Sequence, residues 1–247
     1  MEIAPGIHHF DTGPFNWYVL EEDSRLTLVD AGFPGHYRSL VAGLKSIGRR
    51  VSDIEAILIT HAHADHMGFA EQVRRVTGAP VFVHRDDLKA VAQRYPLPWW
   101  GLLSHAYIPY MAGMLTTALM NGLVLQPGIA QAQGVADGQI LDVPGRPVVH
   151  HTPGHTPGEI ALHLPQRGVL LSGDSMITRN LITGESGGPQ LAHHSLNRDI
   201  AVARRSLARL RELGKITLLP GHGKPWQGDI LEAIAAASQT PARPAQF

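Results

Sequence analysis

Thr60-His61-Ala62-His63-Ala64-Asp65-His66 places three imidazoles and a carboxylate within six positions, directly after the apolar run Ile57-Leu58-Ile59. Four ligand-type side chains at the end of a buried strand have no packing rationale, so the stretch reads as a metal site. Alternate residues of an extended chain share a face, so His61 and His63 project the same way and can close on one ion. Asp65 and His66 lie beyond the strand end, where the chain turns towards a helix expected over Met67 to Thr77, and can present ligands to a second ion. Imidazole and carboxylate without thiolate form the ligand set of zinc, with iron or manganese as alternatives.

His-x-His-x-Asp-His resembles the signature of the metallo-β-lactamase superfamily, and most closely its glyoxalase II-like branch of small hydrolases. That resemblance runs from about Gly6 to Gly228 and implies a further histidine for the first ion, a bridging aspartate, and a last histidine for the second. His155 in Thr152-Pro153-Gly154-His155-Thr156-Pro157-Gly158, Asp174 in Leu170-Leu171-Ser172-Gly173-Asp174-Ser175, and His222 in Leu218-Leu219-Pro220-Gly221-His222-Gly223 fill those roles. Each follows an apolar run and is flanked by Gly or Pro, which let the backbone turn sharply. Asp30, in Val29-Asp30-Ala31-Gly32, resembles the family's early aspartate. Two roles are open for it: a hydrogen bond to a ligand, or a turn with Gly32.

Composition fits one enzyme domain over 1–247. With 247 residues, 44% of them hydrophobic, the chain can bury a substantial core. Lys+Arg and Asp+Glu both total 21, which gives no reason to expect nucleic acid as a partner. Cysteine is absent, so disulfides and thiolate ligands are excluded. Met1-Glu2-Ile3-Ala4-Pro5-Gly6 has no basic region leading into an apolar core, so a cytoplasmic location is expected.

Periodicity predicts a hairpin of Asn16–Leu20 and Leu26–Asp30, a helix over Tyr37–Ile47 stopped by Gly48, a strand over Ile54–Thr60, the helix Met67–Thr77, and a strand at Pro80–His84. Three strands follow near Val148–His151, Glu159–Leu164 and Gly168–Leu171. A long helix at Arg198–Leu213, a strand at Ile216–Leu219 and a helix at Ile230–Ala237 complete the pattern, with a loose tail at 238–247. Two half-domains of sheet plus helices imply an α/β fold, a four-layer αββα sandwich, which the resemblance also implies.

Between Arg94 and Asp137, forty-two consecutive residues (95–136) contain no Asp, Glu, Lys or Arg, and Trp99, Trp100, Tyr107, Tyr110, Met111 and Met114 lie among them. A membrane span is rejected because Pro109, Thr116, Thr117 and Asn121 lower its hydrophobicity and because it would interrupt one metal site. The region about 86–137 is expected to be a helical, uncharged insertion that serves as core, as a lid over an apolar substrate pocket, or as a surface through which two copies could form a homodimer.

The resemblance then implies a chemistry. His61, His63 and His155 would hold one zinc, Asp65, His66 and His222 a second, and Asp174 would bridge them. A shared hydroxide is the nucleophile, and Asp65 has the further catalytic task of passing a proton to the leaving group. The expected substrate is a small molecule: a carboxylic ester, lactone or thioester with an apolar acyl part. Acyl-homoserine lactonases with a polarising tyrosine place it soon after the bridging aspartate, where this chain reads Ser175-Met176-Ile177-Thr178. Two alternatives stay open: β-lactamase activity, and a persulfide dioxygenase-like chemistry with one iron on His61, His155 and Asp174.

Overall fold

The computed structural model describes residues 1–93 and 103–241. Trp99, Trp100 and residues 242–247 of the expected tail lie outside the described residues.

Seven strands build the first sheet in sequence order: β1 (Glu2–Ala4), β2 (Ile7–Asp11), β3 (Asn16–Glu22), β4 (Arg25–Val29), β5 (Ile54–Leu58), β6 (Val81–His84) and β7 (Ala132–Val135). Pairing is antiparallel through β4 and parallel from β4 to β7. The β3–β4 turn is tighter than the sequence suggests, since only Asp23 and Ser24 have positive φ, the backbone form that matches strand twist in a two-residue hairpin. The second sheet has the order β14 (Trp226–Asp229), β13 (Lys215–Pro220), β10 (Val169–Gly173), β9 (Ile160–Leu164), β8 (Val148–His151), and β13 pairs β10 in parallel. A separate ribbon joins β11 (Ile177–Arg179) to β12 (Ser186–Gln190).

The alternation of side chains across strands sets the layers. Tyr18, Leu20, Val29 and Leu58 of the first sheet meet Val149, Leu162, Val169, Leu171 and Leu219 of the second in one core. The opposite faces take helices. Trp17, Val19, Leu28, Ile57 and Val81 pack against Leu40 and Leu44 of α1 (Tyr37–Ser46) and Val73 of α3 (Ala70–Thr77). Leu170 and Leu218 pack against Ala203 of α6 (Ile200–Ser206), Leu207 and Leu210, and Ala233 of α7 (Ile230–Ser238). This is the expected αββα sandwich.

Four local expectations change. The helix forecast from Met67 begins at Ala64 as α2 (Ala64–Met67) and breaks at Gly68 before α3. Gly68 N donates to Gly32 O at 2.7 Å, and a Cβ there would overlap that carbonyl and the Phe33 backbone. The long helix at 198–213 is α6 followed by a 3-10 segment, Leu207–Leu213. Among the described residues of the stretch 86–137, Val91 of α4 (Leu88–Gln93) joins the first helix-facing core and β7 extends the sheet, while α5 (Pro109–Met120) and the 3-10 turn after it are helical. The expected tail starts later than 238. Ser238 closes α7, and Thr240 accepts from Leu191 N through its hydroxyl at 3.0 Å and from Arg204 through its carbonyl. No helix among the described residues is long and apolar enough to cross a membrane.

Candidate metal centre

Parallel pairing of β4 with β5 and of β10 with β13 brings four strand ends to one edge of the sandwich. The chain beyond each end supplies a polar side chain: Asp30, His61, Asp174 and His222 in turn. His63 is the N-cap of α2, so Asp65 and His66 project from the first helical turn. His155 arrives on the loop between β8 and β9.

All seven nominated residues converge. His61 Nε2 stands 3.1 Å from His63 Nδ1, and His155 Nε2 stands 2.9 Å from the same atom. His222 Nε2 lies 3.4 Å from His66 Nε2, 3.3 Å from Asp65 Oδ2 and 3.2 Å from Asp174 Oδ2. Asp174 reaches both groups, with Oδ2 at 3.4 Å from His155 Nε2 and Oδ1 at 3.6 Å from His66 Nε2. Ligands of one tetrahedral ion at about 2.0–2.1 Å stand roughly 3.3 Å apart, so both clusters have the right span for one ion each. The donor set argues the same way. Buried imidazole nitrogens that converge within 2.9–3.4 Å of one another suit a shared cation, and Asp174 Oδ1 is buried without a hydrogen bond.

The electrostatics of the two clusters differ. Burial and the adjacent His155 lower His63 to about 3, and burial likewise lowers His61 and His155. Burial also opposes the charge on His66, but Asp30, Asp65 and Asp174 outweigh it and raise this imidazole to about 9. His222 is raised in the same way by Asp174 and Asp65. Asp65 and Asp174 are held below the usual carboxylate range because these imidazoles overcome the opposing effect of burial.

A second ring of contacts orients the first. Asp30 Oδ2 stands 2.8 Å from His66 Nδ1, the hydrogen bond left open for it, while positive φ at Asp30 and Gly32 keeps the turning backbone as well, and Asp30 also accepts from Thr60 N at 2.8 Å. His222 Nδ1 donates to Pro14 O at 2.6 Å, while Tyr18 Oη and Asn16 Nδ2 both donate to Pro220 O on that loop. His155 Nδ1 lies 3.3 Å from Asn197 Oδ1. Glu159, wholly buried, stands 3.2 Å from His61 Nδ1 and accepts from Asp174 N at 2.9 Å. Sequence reasoning missed Glu159, Asp87 and Asn197. Glu159 left one signal, an acid entering the apolar strand Ile160-Ala161-Leu162, whereas Asp87 and Asn197 stand in polar stretches that look like surface loop.

Above the metal edge lies a cavity of about 610 Å³, part of it open to solvent. His63, Asp65, His155, Asp174 and His222 form its floor. Its walls are Phe15 and Phe33, with Met114, Leu115 and Ala118 of α5, Leu123 just beyond that helix, and Leu181 and Leu196. Asp65 is the accessible carboxylate there, its side chain 19% exposed against 2% for Asp174. Other histidines do not join the centre: His84 stacks on His151 at 3.8 Å between ring centroids, and His193 lies against His105 and His194.

Residues 11–222 match the profile of the Metallo-beta-lactamase superfamily. Among curated relatives, the probable metallo-hydrolase YflN of Bacillus subtilis is 27% identical over 92% of this chain and 87% of its own length. Among solved structures, the metallo-beta-lactamase family protein TTHA1429 of Thermus thermophilus superposes with a TM-score of 0.68 at 25% identity, over 95% of this chain and 78% of that one. BJP-1, a subclass B3 metallo-beta-lactamase of Bradyrhizobium japonicum, shares the fold at a TM-score of 0.62 and 22% identity, over 90% and 76% of the two chains. With its fold, its clustered ligand-type side chains and a family match over most of its length, the chain belongs to the metallo-β-lactamase superfamily.

Proposed function

We propose that the chain is a dinuclear metal-dependent hydrolase that cleaves an uncharged carboxylic ester, lactone or thioester carrying an apolar acyl group. The observation that carries this reading is the position of the His/Asp clusters, which form the floor of a cavity whose described walls contain no Lys, Arg, Ser, Thr, Tyr, Asn or Gln. Such walls desolvate hydrocarbon well and offer nothing to a substrate anion.

In this reading His61, His63 and His155 hold one zinc, Asp65, His66 and His222 the other, and Asp174 reaches both. When bound, the two ions would supply a water of near-neutral pKa and a Lewis acid for the substrate carbonyl. The chain does the rest. Asp30 and Pro14 O fix the Nδ1 sides of His66 and His222, so each turns Nε2 to the centre. Phe15, Phe33 and α5 exclude water and align the acyl group. Asp65, the accessible acid on the floor, takes the proton that the attacking water gives up as its oxygen bonds to the acyl carbon, and delivers it to the oxygen or sulfur that leaves that carbon.

The test combines metal analysis of the purified protein with a panel of lactones, thioesters, aryl esters, phosphodiesters and β-lactams. Two zinc ions per chain with turnover confined to acyl substrates is the expected result. One iron with oxygen uptake would replace the hydrolase by an oxygenase, and preferential β-lactam turnover would overturn the substrate class.

A further inference from the structure

We propose that Glu159 is a positioning residue that orients His61 for the first ion and ties that imidazole to Asp174; the proposal rests on the dinuclear reading above. Glu159 has no exposure, and its two oxygens face different partners. Oε1 accepts from the backbone N–H of Asp174 at 2.9 Å. Oε2 accepts no hydrogen bond and stands 3.2 Å from His61 Nδ1.

An ionised carboxylate oxygen buried without a donor is costly, so its surroundings must supply positive charge or a proton. Thr60 Oγ1 is the competing partner of His61 Nδ1, at 3.1 Å. The Thr60 hydroxyl proton is directed to Asp30 Oδ2 at 2.9 Å, so towards His61 this oxygen can only accept. Burial and the nearby Asp174 push the Glu159 carboxyl up in the metal-free chain, and two cations beside it would hold it ionised, so that both neighbours of Nδ1 are acceptors. They fix the proton on Nδ1 and leave the Nε2 lone pair for the ion, and Glu159 adds the charge that makes the imidazole a better donor to a cation. The packing admits little adjustment, since a Cβ at Gly173 would overlap both Glu159 Oε1 and the Thr60 side chain. Asp30 backs His66 in the same manner, which gives each cluster one imidazole held by a carboxylate.

Glu159→Gln separates this role from simple turn support. The amide oxygen still accepts from Asp174 N, but its NH2 would meet the Nδ1–H of His61 and push the proton to Nε2, the nitrogen the ion needs. Zinc binding by the full chain, followed against a competing chelator, should show one of the two constants weakened about 10–100-fold in E159Q, with the other and the metal-free Tm nearly unchanged. On the H222A background, which keeps the first cluster, E159Q should weaken the remaining ion by the same factor. Two unchanged constants, or two that fall together, would overturn the role. A wild-type chain that binds no divalent ion would overturn the metal centre itself. Nitrogen-resolved NMR of the zinc-loaded native protein gives a check that needs no variant: a His61 proton on Nε2 rather than Nδ1 would also overturn it.

Discussion

Asp87 Oδ1 accepts a hydrogen bond from the backbone N–H of Gly158 at 2.8 Å, across 71 residues of chain. Its other oxygen accepts from Thr156 Oγ1 at 2.7 Å and from Ala62 N at 3.0 Å. One wholly buried carboxylate thus joins the loop carrying His61 and His63 to the loop carrying His155. Burial pushes this carboxyl up, and the three donors work against that.

Asp87→Asn places an amide donor among those donors, and an unsatisfied buried pair costs about 1–3 kcal/mol. Unfolding in denaturant should show that loss, and first-ion affinity should fall with it because His63 and His155 lose their common anchor. Wild-type affinity in a destabilised D87N protein would show that the two loops are set independently.

Much of this architecture was legible in the sequence, for reasons visible in particular residues. His61 to His66, His155, Asp174 and His222 each follow a strand whose apolar run is long enough to read, and Gly or Pro marks the turn beside them. The edge strands β1, β7 and β14 leave little sequence signal, because Glu2–Ala4 is short, Ala132–Val135 has a single β-branched residue beside a glycine, and Trp226–Asp229 has none and contains a glycine. The start of α2 was set too late because its N-cap is His63, which makes no side-chain cap bond, so the usual Ser, Thr, Asp or Asn signal is missing. The roles of Asp87 and Glu159 were hidden for a different reason: although Glu159 stands out as an acid entering an apolar strand, the partners of both come from distant segments, and only the fold brings them together.

Asp174→Ala should remove most activity and lower metal occupancy. This carboxylate stands 3.4 Å from His155 Nε2 and 3.2 Å from His222 Nε2, so it reaches both clusters and, in the dinuclear reading, would offset the repulsion of two dications. His222→Ala should deplete mainly the second ion. Full turnover with one ion retained in either variant would remove the dinuclear mechanism.

The clusters should also separate by pH. His66 is raised to about 9 and His222 is raised as well, so below that range an ion entering the second cluster must displace protons. His63, lowered to about 3, and the lowered His61 and His155 stay neutral, so the first cluster has no such competitor near neutrality. Second-ion affinity should therefore fall as pH falls, by up to about tenfold per unit for each proton displaced. Zinc content after dialysis at about pH 8 and about pH 6 should drop from two ions towards one. Loss of both together would mean that the clusters are not electrostatically distinct.

The cavity wall makes the last prediction. Met114 and Leu123 both line the space over the metal edge, and Met114 packs between the cluster around Met111 and the one around Phe15, Phe33 and Ala118. Each methylene transferred from water to such a wall is worth about 0.8 kcal/mol, or roughly fourfold in kcat/KM if fully realised in the transition state. Lengthening the acyl chain of an ester series should raise kcat/KM over several carbons until the cavity is filled. Met114→Ala and Leu123→Ala should flatten or shift that rise while leaving zinc content unchanged, because neither side chain belongs to the clusters. Leu119 and Met120, on the exposed side of the same helix at 54% and 82%, provide the control, and their replacement by Ala should leave the chain-length series as it was. A flat series in the unmodified enzyme would show that α5 serves only as packing and that the acyl group lies elsewhere.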